Sequence, residues 1–157
     1  MNSIIRIINE EIDKSFYETV KYFTEEDEDR ITITAIYEEN KIGSVTSEIL
    51  FGGYSYEFDD VFTEDEFDNM FPDDYIVKLE HIEVNDNFKG TGIGTQLIDK
   101  MMKMMRSSGY SQFYLNASPM GFSGLRLNGL TDLYKKFGFK EIKHQGHNVL
   151  MGISNTI

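Results

Sequence analysis

Three glycines stand at every second position in the stretch FKGTGIGTQL, residues 88–97. Glycine weakens helices and strands, so this density indicates a junction where the backbone bends sharply or approaches another molecule. The preceding YIVKLEHIEV predicts a strand at 75–84, and the following residues predict a helix from near Gly92 to the SSGY at 107–110. The junction therefore presents the free amides of a helix N-terminus, which favour anions. A plain flexible turn is the alternative.

The order of these glycines excludes the two common phosphate-binding loops. The dinucleotide fingerprint is G-x-G-x-x-G, whereas Gly90, Gly92 and Gly94 follow G-x-G-x-G, and Thr95 stands where the last glycine should fall. The loop of nucleoside triphosphatases ends in Gly-Lys-Ser/Thr, but Gln96 follows Gly94 and Thr95 here. The glycines therefore form neither a dinucleotide-binding nor a nucleoside triphosphate-binding loop.

Length, charge and cysteine content limit the classes of protein to which the chain can belong. At 157 residues and 40% hydrophobic content, the chain fits one domain, 1–157. Its formal net charge of -12 disfavours nucleic acids and anionic membranes and favours cationic partners. It has no cysteine, no apolar run of membrane-spanning length, and an N-terminal stretch broken by charges too early for a signal peptide. We therefore expect a cytoplasmic protein that binds neither nucleic acid nor membrane.

The order of the predicted elements indicates an α+β domain on a mixed, partly antiparallel sheet. Hydrophobic spacing predicts a strand at 4–9, a helix at 12–23, a hairpin within 30–50, a short capped helix at 63–71, the strand and helix around the glycines, a strand at 112–118, a helix at 127–137 and a final hairpin at 139–153. In the last hairpin, His144 and His147 flank Gly146, and we interpret them as hairpin residues. We expect no metal site.

One segment is unusually acidic. Between Lys41 and Lys78 the chain carries ten acids and no basic residue. We interpret about 52–74 as an acidic insertion that either recruits a cation or only aids solubility.

The strand at 75–84 cannot place all its apolar residues on one face. Val77 and Leu79 have the opposite parity to Ile82 and Val84, so the pattern predicts a β-bulge near 79–81. Bulges redirect side chains beside active sites, and Glu80 lies within this one. Glu80 is therefore a candidate general base, with an ordinary strand-edge acid as the alternative.

Two motifs identify a family. IEVNDNFKGTGIGTQL resembles the acetyl-coenzyme A loop of the GNAT N-acetyltransferases, Arg/Gln-x-x-Gly-x-Gly/Ala, with Lys89, Gly92 and Gly94 at the patterned positions. LYKKFGF at 133–139 resembles the late Leu-Tyr-x-x-x-Gly-Phe element, with Tyr134 at the position of the catalytic tyrosine. The Asn-x-x-Ala that often precedes this element is missing.

The resemblance implies a GNAT-like fold: a central, mainly antiparallel sheet flanked by helices and splayed after the fourth strand to admit acetyl-coenzyme A as co-substrate. It implies that some of the cations Lys89, Lys100, Lys103 and Arg106 face the nucleotide. The residues implied to bind the cofactor are Ile82, Glu83, Val84, Lys89, Gly90, Thr91, Gly92, Ile93, Gly94, Thr95 and Asn116.

The resemblance also implies acetyl transfer by direct attack of a primary amine in a ternary complex. LEHIEV is similar to the corresponding strand of the diamine acetyltransferases, where the equivalent of Glu80 is the proposed base; Glu83 is the reserve. Tyr134 would protonate the thiolate, being left free if Leu130, Leu133 and Phe137 form the buried stripe of its helix.

The acceptor would be a polyamine or other small cationic amine, or a basic protein tail. A homodimer is possible, and a non-catalytic coenzyme A binder or an acidic protein-binding decoy is the alternative function.

Overall fold

The computed structural model describes residues 14–51, 61–118 and 127–157. The strands are β1 Lys21–Asp27, β2 Arg30–Tyr37, β3 Asn40–Phe51, β4 Tyr75–Val84, β5 Phe113–Ala117, β6 Lys140–Gln145 and β7 Asn148–Ile153. The helices are α1 Lys14–Thr19, α2 Glu64–Met70, α3 Ile93–Ser107 and α4 Leu127–Lys135, with a 3-10 turn at Asp86–Phe88. No helix in this part of the chain is both long and apolar enough to cross a membrane.

The seven strands form one sheet in the order β1-β2-β3-β4-β5-β7-β6. Every neighbouring pair is antiparallel except β4 and β5, which run parallel. The parallel pairing joins only Val77–Leu79 to Phe113–Leu115. Beyond Leu79 the two central strands diverge, so the α+β class, the mixed sheet and the splay after the fourth strand are confirmed.

The main core lies between one face of the sheet and helices α3 and α4. Helix α3 has a strongly one-sided apolar pattern, and its side chains at Leu97, Ile98, Met101 and Met105 are fully buried. Burying a side chain of this size stabilises the fold by about 1.5–3 kcal/mol. The helix thus fixes the position of the glycine-containing loop at its own N-terminus.

A second, smaller core lies on the opposite face, under helix α2. Phe67 and Phe71 pack there against Ile76, Tyr114 and Leu150. The predicted capping box is present, because the Thr63 hydroxyl accepts from the Glu66 amide while the Glu66 carboxylate accepts from the Thr63 amide. The described part of the acidic segment is therefore an ordered helix that buries its aromatic side chains and exposes its acids.

The N-terminal helix and strand, α1 and β1, differ from the elements predicted from the sequence. The helix expected at 12–23 ends at Thr19, and Phe23 lies in β1 with 55% of its surface exposed. The reason is tertiary: Lys21–Asp27 pairs along its whole length with β2, and this ladder overrides the helical spacing of the apolar residues. The strand expected at 4–9 lies outside the described residues.

Candidate active site

The predicted bulge on β4 is confirmed, and Glu80 is its extra residue. Ser47 of β3 lies opposite Leu79, whereas the adjacent Thr46 lies opposite His81, so no residue of β3 pairs with Glu80. The shift lets Leu79 and Ile82 both pack against the main core despite their opposite parity. The bulge lies where β4 leaves β5.

The Glu80 side chain is held among charged groups on the other face of the sheet. It is 9% exposed, and its Oε2 lies 3.5 Å from Nη1 of Arg30. The same guanidinium places Nη2 3.9 Å from Oε2 of Glu48 on β3. Within the described part of the chain, Glu80 Oε2 is buried without a hydrogen-bond donor. A buried carboxylate oxygen that lacks a donor is costly, and a protonated amine would supply that donor.

Glu48 was not predicted as a site residue. Its side-chain hydrogen bond with Glu80, burial and the nearby Glu80 charge together raise the pKa of the Glu48 carboxyl. The cations Arg30 and Lys78 oppose this shift. The two carboxyls thus form a close pair, in which protonation of one favours ionisation of the other.

Glu83, the reserve base, lies in a different environment. Its Oε1 accepts hydrogen bonds from Lys41 Nζ at 2.6 Å and from Ser44 Oγ at 3.0 Å. These hydrogen bonds, that from Lys41 first, lower the pKa of the Glu83 carboxyl. Its side chain is 63% exposed. Because Glu83 is a solvated carboxylate already bound to a lysine, it is the weaker candidate for taking a proton.

The divergence of β4 and β5 opens a gap in the middle of the sheet. In the described structure, β4 beyond Glu80 pairs only with β3, so its other edge faces the gap. Ile82 is half-buried, Val84 is buried, and exposed Asn116 lies on β5 across the splay, in register with Leu150 of β7. Unpaired strand amides and carbonyls of this kind suit a ligand that carries amide groups.

The glycine-containing loop leads from β4 into the N-terminus of α3. Gly90 and Gly92 have φ of 81° and 91°, in the left-handed region that L side chains rarely adopt. Gly92 is the N-cap of α3 and supplies no side-chain cap. The Gln96 amide donates to the Gly92 carbonyl at 3.0 Å, which makes it the first amide held within the helix.

The three amides before Gln96, those of Ile93, Gly94 and Thr95, therefore have no acceptor within the helix. Ile93 and Gly94 are buried and Thr95 is half-buried. The helix that follows has 15 residues, long enough to place a substantial positive dipole end at this loop. The N-terminus of α3 thus presents free amides beside an N-cap without a side-chain hydrogen bond, an arrangement that suits the diphosphate expected from the sequence.

Two tyrosines that sequence reasoning missed hold this loop from the N-terminal elements. Tyr17 of α1 donates from its hydroxyl to the carbonyl of Thr91, which is buried. Tyr22 of β1 donates from its hydroxyl to Oε1 of Gln96 at 2.8 Å. Both contacts join residues 74 positions apart, so no local pattern could have indicated them.

Each of the four cations, some of which were expected to face the nucleotide, has a partner within the protein. Lys89 lies 3.0 Å from Asp86, and Lys103 lies 2.8 Å from Asp99. Lys100 sits 4.4 Å from the ring centroid of Tyr22. Arg106 donates to the Phe137 carbonyl at 3.3 Å. Of the four, only Lys89 lies in the loop itself, and its exposed partner leaves it able to turn toward a bound anion.

Tyr134 is placed differently from the prediction. On α4 the buried residues are Leu130, Thr131 and Tyr134, whereas Leu133 and Phe137 are only partly buried. The predicted stripe of Leu130, Leu133 and Phe137 does pack against the main core, but the expectation that it leaves Tyr134 free is wrong. The tyrosine also faces the main core, is 6% exposed, and has its ring centroid 5.9 Å from that of Phe139 in an edge-to-face arrangement. Burial raises the pKa of the Tyr134 phenol, and no described residue hydrogen bonds to its hydroxyl. It is a protonated donor at neutral pH.

The histidines of the last hairpin lie on its surface. Nε2 of His144 is 3.4 Å from a Glu141 oxygen, and His147 is exposed in the turn. Across residues 14–51, 61–118 and 127–157, no cluster of three or more His, Asp or Glu side chains could hold a metal ion.

Comparison with known proteins identifies the family of the chain. The model of the acetyltransferase (GNAT) family matches residues 2–139. No curated protein sequence is significantly similar to the chain.

Several solved structures share the fold. The paia N-acetyltransferase of Thermoplasma acidophilum, in complex with coenzyme A, has a TM-score of 0.52 and 17% identity over 80% of this chain and 61% of its own. Arabidopsis thaliana NAA60 in complex with acetyl-CoA has a TM-score of 0.54 and 18% identity over 80% and 74%. Arylalkylamine N-acetyltransferase 2 from Aedes aegypti has a TM-score of 0.55 and 16% identity over 77% and 71%. The chain thus spans less than two thirds of the first of these relatives, and at such identities the likeness concerns the fold alone.

Proposed function

The chain belongs to the acetyltransferase (GNAT) family, and we propose that it transfers the acetyl group of acetyl-coenzyme A to a primary amine by direct attack in a ternary complex. One observation carries this proposal. The bulge places a nine-tenths buried carboxyl, Glu80, at the point where β4 leaves β5. A proton acceptor therefore stands beside the gap that fits the co-substrate.

The residues present fit coenzyme A along its length. The free amides of Ile93, Gly94 and Thr95, with the loop at Lys89–Gly92, would hold the diphosphate. The open edge of β4 at Ile82–Val84 would hydrogen bond the amide-bearing arm, and Asn116 would face it from β5. The bound co-substrate supplies an activated acetyl thioester.

The side chains and strand amides account for the proton and charge movements. Glu80 would take one proton from the acceptor ammonium, freeing the nitrogen lone pair to form the C–N bond. Strand amides near Ile82–Val84 would stabilise the negative charge that develops on the carbonyl oxygen. As the C–S bond breaks, Tyr134 would protonate the sulfur and regain a proton from the nitrogen of the new amide. The products are an acetylated amine, a free thiol and one proton, which Glu80 returns to water.

A small cationic amine is the acceptor we favour. The chain carries a formal charge of -12, and four acids of α2, Glu64, Asp65, Glu66 and Asp68, are exposed. The resemblance of LEHIEV to diamine acetyltransferases supports a polyamine. A basic protein or peptide amine is the second candidate, because the same negative charge would attract it. One structural relative, Arabidopsis thaliana Naa50, forms a complex with the bisubstrate analogue CoA-Ac-MVNAL, which supports a peptide amine as acceptor but not its basic character.

The test of the proposed function is release of thiol from acetyl-coenzyme A across a panel of polyamines, arylalkylamines, amino acids and basic peptides. Saturable release that Glu80→Gln strongly lowers at neutral pH is expected for at least one acceptor. A decoy or a coenzyme A-binding module would bind its ligand and release no thiol with any amine.

A further inference from the structure

We propose that Glu48 is a positioning residue for the proton transfer, forming with Glu80 a carboxyl pair through which the proton of the acceptor amine leaves toward water. This inference rests on the proposed function, because it takes Glu80 as the group that receives the proton. Neither the glycine-containing loop nor the late tyrosine motif points to Glu48, which lies on β3, far from both in the sequence.

The bulge explains why Glu80 needs a partner of this kind. A bulged residue has no opposite residue in the ladder, so backbone pairing alone does not fix its side chain. Glu48 lies on the neighbouring strand, in register with Lys78, two residues before Glu80. The Arg30 guanidinium lies between the two carboxyls, with Nη2 3.9 Å from an oxygen of Glu48 and Nη1 3.5 Å from an oxygen of Glu80. These contacts set the orientation of the Glu80 carboxyl.

The charges facing the pair come from three strands. Arg30 belongs to β2, Glu48 to β3, and Lys78 to β4. Arg30 is 54% exposed, so water screens its attraction and the guanidinium does not cancel the repulsion between the carboxylates. The pKa of the Glu48 carboxyl is raised first by its side-chain hydrogen bond with Glu80, then by burial and by the nearby Glu80 charge.

The unequal exposure of the two side chains gives the transfer a direction. Glu80 is 9% exposed and Glu48 28%. The ammonium would give its proton to the Glu80 carboxylate, which forms an O–H group hydrogen-bonded to Glu48. That proton passes to the Glu48 carboxylate, and Glu48 releases it to water, which leaves both groups ionised for the next turnover. One N–H bond is broken and one proton appears in solution per acetyl group transferred.

The experiment compares Glu48→Gln with wild type under conditions where chemistry limits the rate. Glutamine preserves the size and a hydrogen bond but cannot carry the proton. We expect kcat with the best acceptor to fall about 10- to 100-fold at neutral pH, with little change in coenzyme A affinity. The acid limb of the kcat/KM profile should move to lower pH and reflect a single carboxyl, because the second ionising group is gone.

Glu26→Gln is the matched control, since Glu26 is an exposed acid on the edge strand β1. It should leave both rate and profile unchanged. Glu48→Asp should keep a two-carboxyl profile while lowering the rate, as expected for a shortened but titratable partner. An infrared titration of the free protein gives a readout besides activity: Glu48→Gln should remove a carboxyl signal that titrates above the ordinary glutamate range.

These variants distinguish failure of the role proposed for Glu48 from failure of the assignment of Glu80 as the base. If Glu48→Gln keeps the wild-type rate and profile while Glu80→Gln is inactive, the inference about Glu48 is wrong and the proposed function stands. The inference is also wrong if Glu48→Gln lowers the rate and leaves the acid limb in place, because the role is then only structural. If Glu80→Gln itself retains near-wild-type turnover, the assignment of the base fails, and the inference fails with it.

Discussion

The hydroxyl of Tyr17 donates to the carbonyl of Thr91, and a Cβ added at Gly92 would lie 3.1 Å from that same hydroxyl. The Tyr17 side chain of α1 thus holds the Thr91 carbonyl in place and lies directly beside Gly92. The left-handed backbone of Gly92 and the free amides that follow depend on this support. The glycine-containing loop is therefore held by a contact between distant parts of the chain.

Removing this contact should weaken coenzyme A binding. One net hydrogen bond contributes about 0.5–1.5 kcal/mol, so Tyr17→Phe should raise the Kd for coenzyme A about 2- to 10-fold. The KM for the amine should not change. Calorimetry checks the affinity, with Tyr110→Phe as control because Tyr110 follows the C-terminal end of α3 and packs edge-to-face with Tyr75. Equal affinities in wild type and Tyr17→Phe would show that the loop is held without this contact.

Glycine substitutions separate backbone strain from cofactor contact. Gly92 and Gly109 have φ of 91° and 98° at opposite ends of α3, so alanine at either should destabilise the fold by about 1–2 kcal/mol. Only Gly92→Ala should also weaken coenzyme A binding, and Gly92→Val and Gly94→Val should abolish it. Thermal unfolding and calorimetry measure the two effects. A folded Gly92→Val variant with wild-type affinity for coenzyme A would show that the loop does not contact the cofactor.

The proton donor and acceptor should respond differently to pH. Glu80→Gln and Tyr134→Phe should each lower kcat about 10²- to 10⁴-fold where proton transfer limits the rate. Raising the pH should restore part of the rate to Glu80→Gln, because more of the acceptor amine is already neutral. It should not restore Tyr134→Phe, which lacks a donor. Rate–pH profiles with one amine decide this, and near-wild-type turnover of Glu80→Gln at neutral pH would move the base to Glu83 or to water.

The buried phenol should also affect stability at high pH. Burial raises the pKa of Tyr134 above that of an unfolded tyrosine, so the folded state holds the phenol proton more tightly. Its contribution is fully present below about pH 10, the ordinary tyrosine value, and is lost as the pH rises from there toward the folded-state pKa. The free energy of unfolding of wild type should therefore fall more steeply above pH 10 than that of Tyr134→Phe. Parallel slopes from urea titrations would argue against a buried phenol.

The acids of α2 test whether the acceptor is recruited by charge. Replacing Glu64 and Asp65 by Gln and Asn should raise the KM of a cationic amine and weaken its salt dependence, with kcat nearly intact. Glu66 is left in place because it completes the capping box. Asp59 and Asp60, which belong to the same prediction, lie outside the described residues. The same pair of changes at Glu25 and Glu26 of β1 is the control, and an unchanged KM at low salt would assign the α2 acids to solubility alone.

Local sequence patterns predicted much of this architecture. Parity counting along β4 located the bulge at Glu80, and the alternation of Gly90, Gly92 and Gly94 located the N-terminus of α3. Both features depend on residues close together in the chain, which is where periodicity and backbone preference carry information. The capped helix α2 and the last hairpin followed from the same kind of signal.

What the sequence did not predict depends on long-range pairing. Glu48 and Arg30 reach Glu80 only because β2, β3 and β4 are neighbours, and Tyr17 reaches Thr91 only because α1 packs against the loop. The burial of Tyr134 likewise depends on which side of α4 the sheet covers, and helical spacing alone permits either choice. At Phe23, a competing strand partner overrode the helical pattern.

The short parallel contact between β4 and β5 means that, among the described residues, the sheet has two unpaired strand edges in its interior. Only three residue pairs join these strands, so one half of the sheet meets the other across a wedge that any strand-like segment could enter. Coenzyme A, with its amide-bearing arm, would behave there as a short substitute strand. Cells that lack the co-substrate would then hold a protein with a built-in docking edge for foreign β-strands, and saturation with coenzyme A would act against aggregation as well as supporting catalysis.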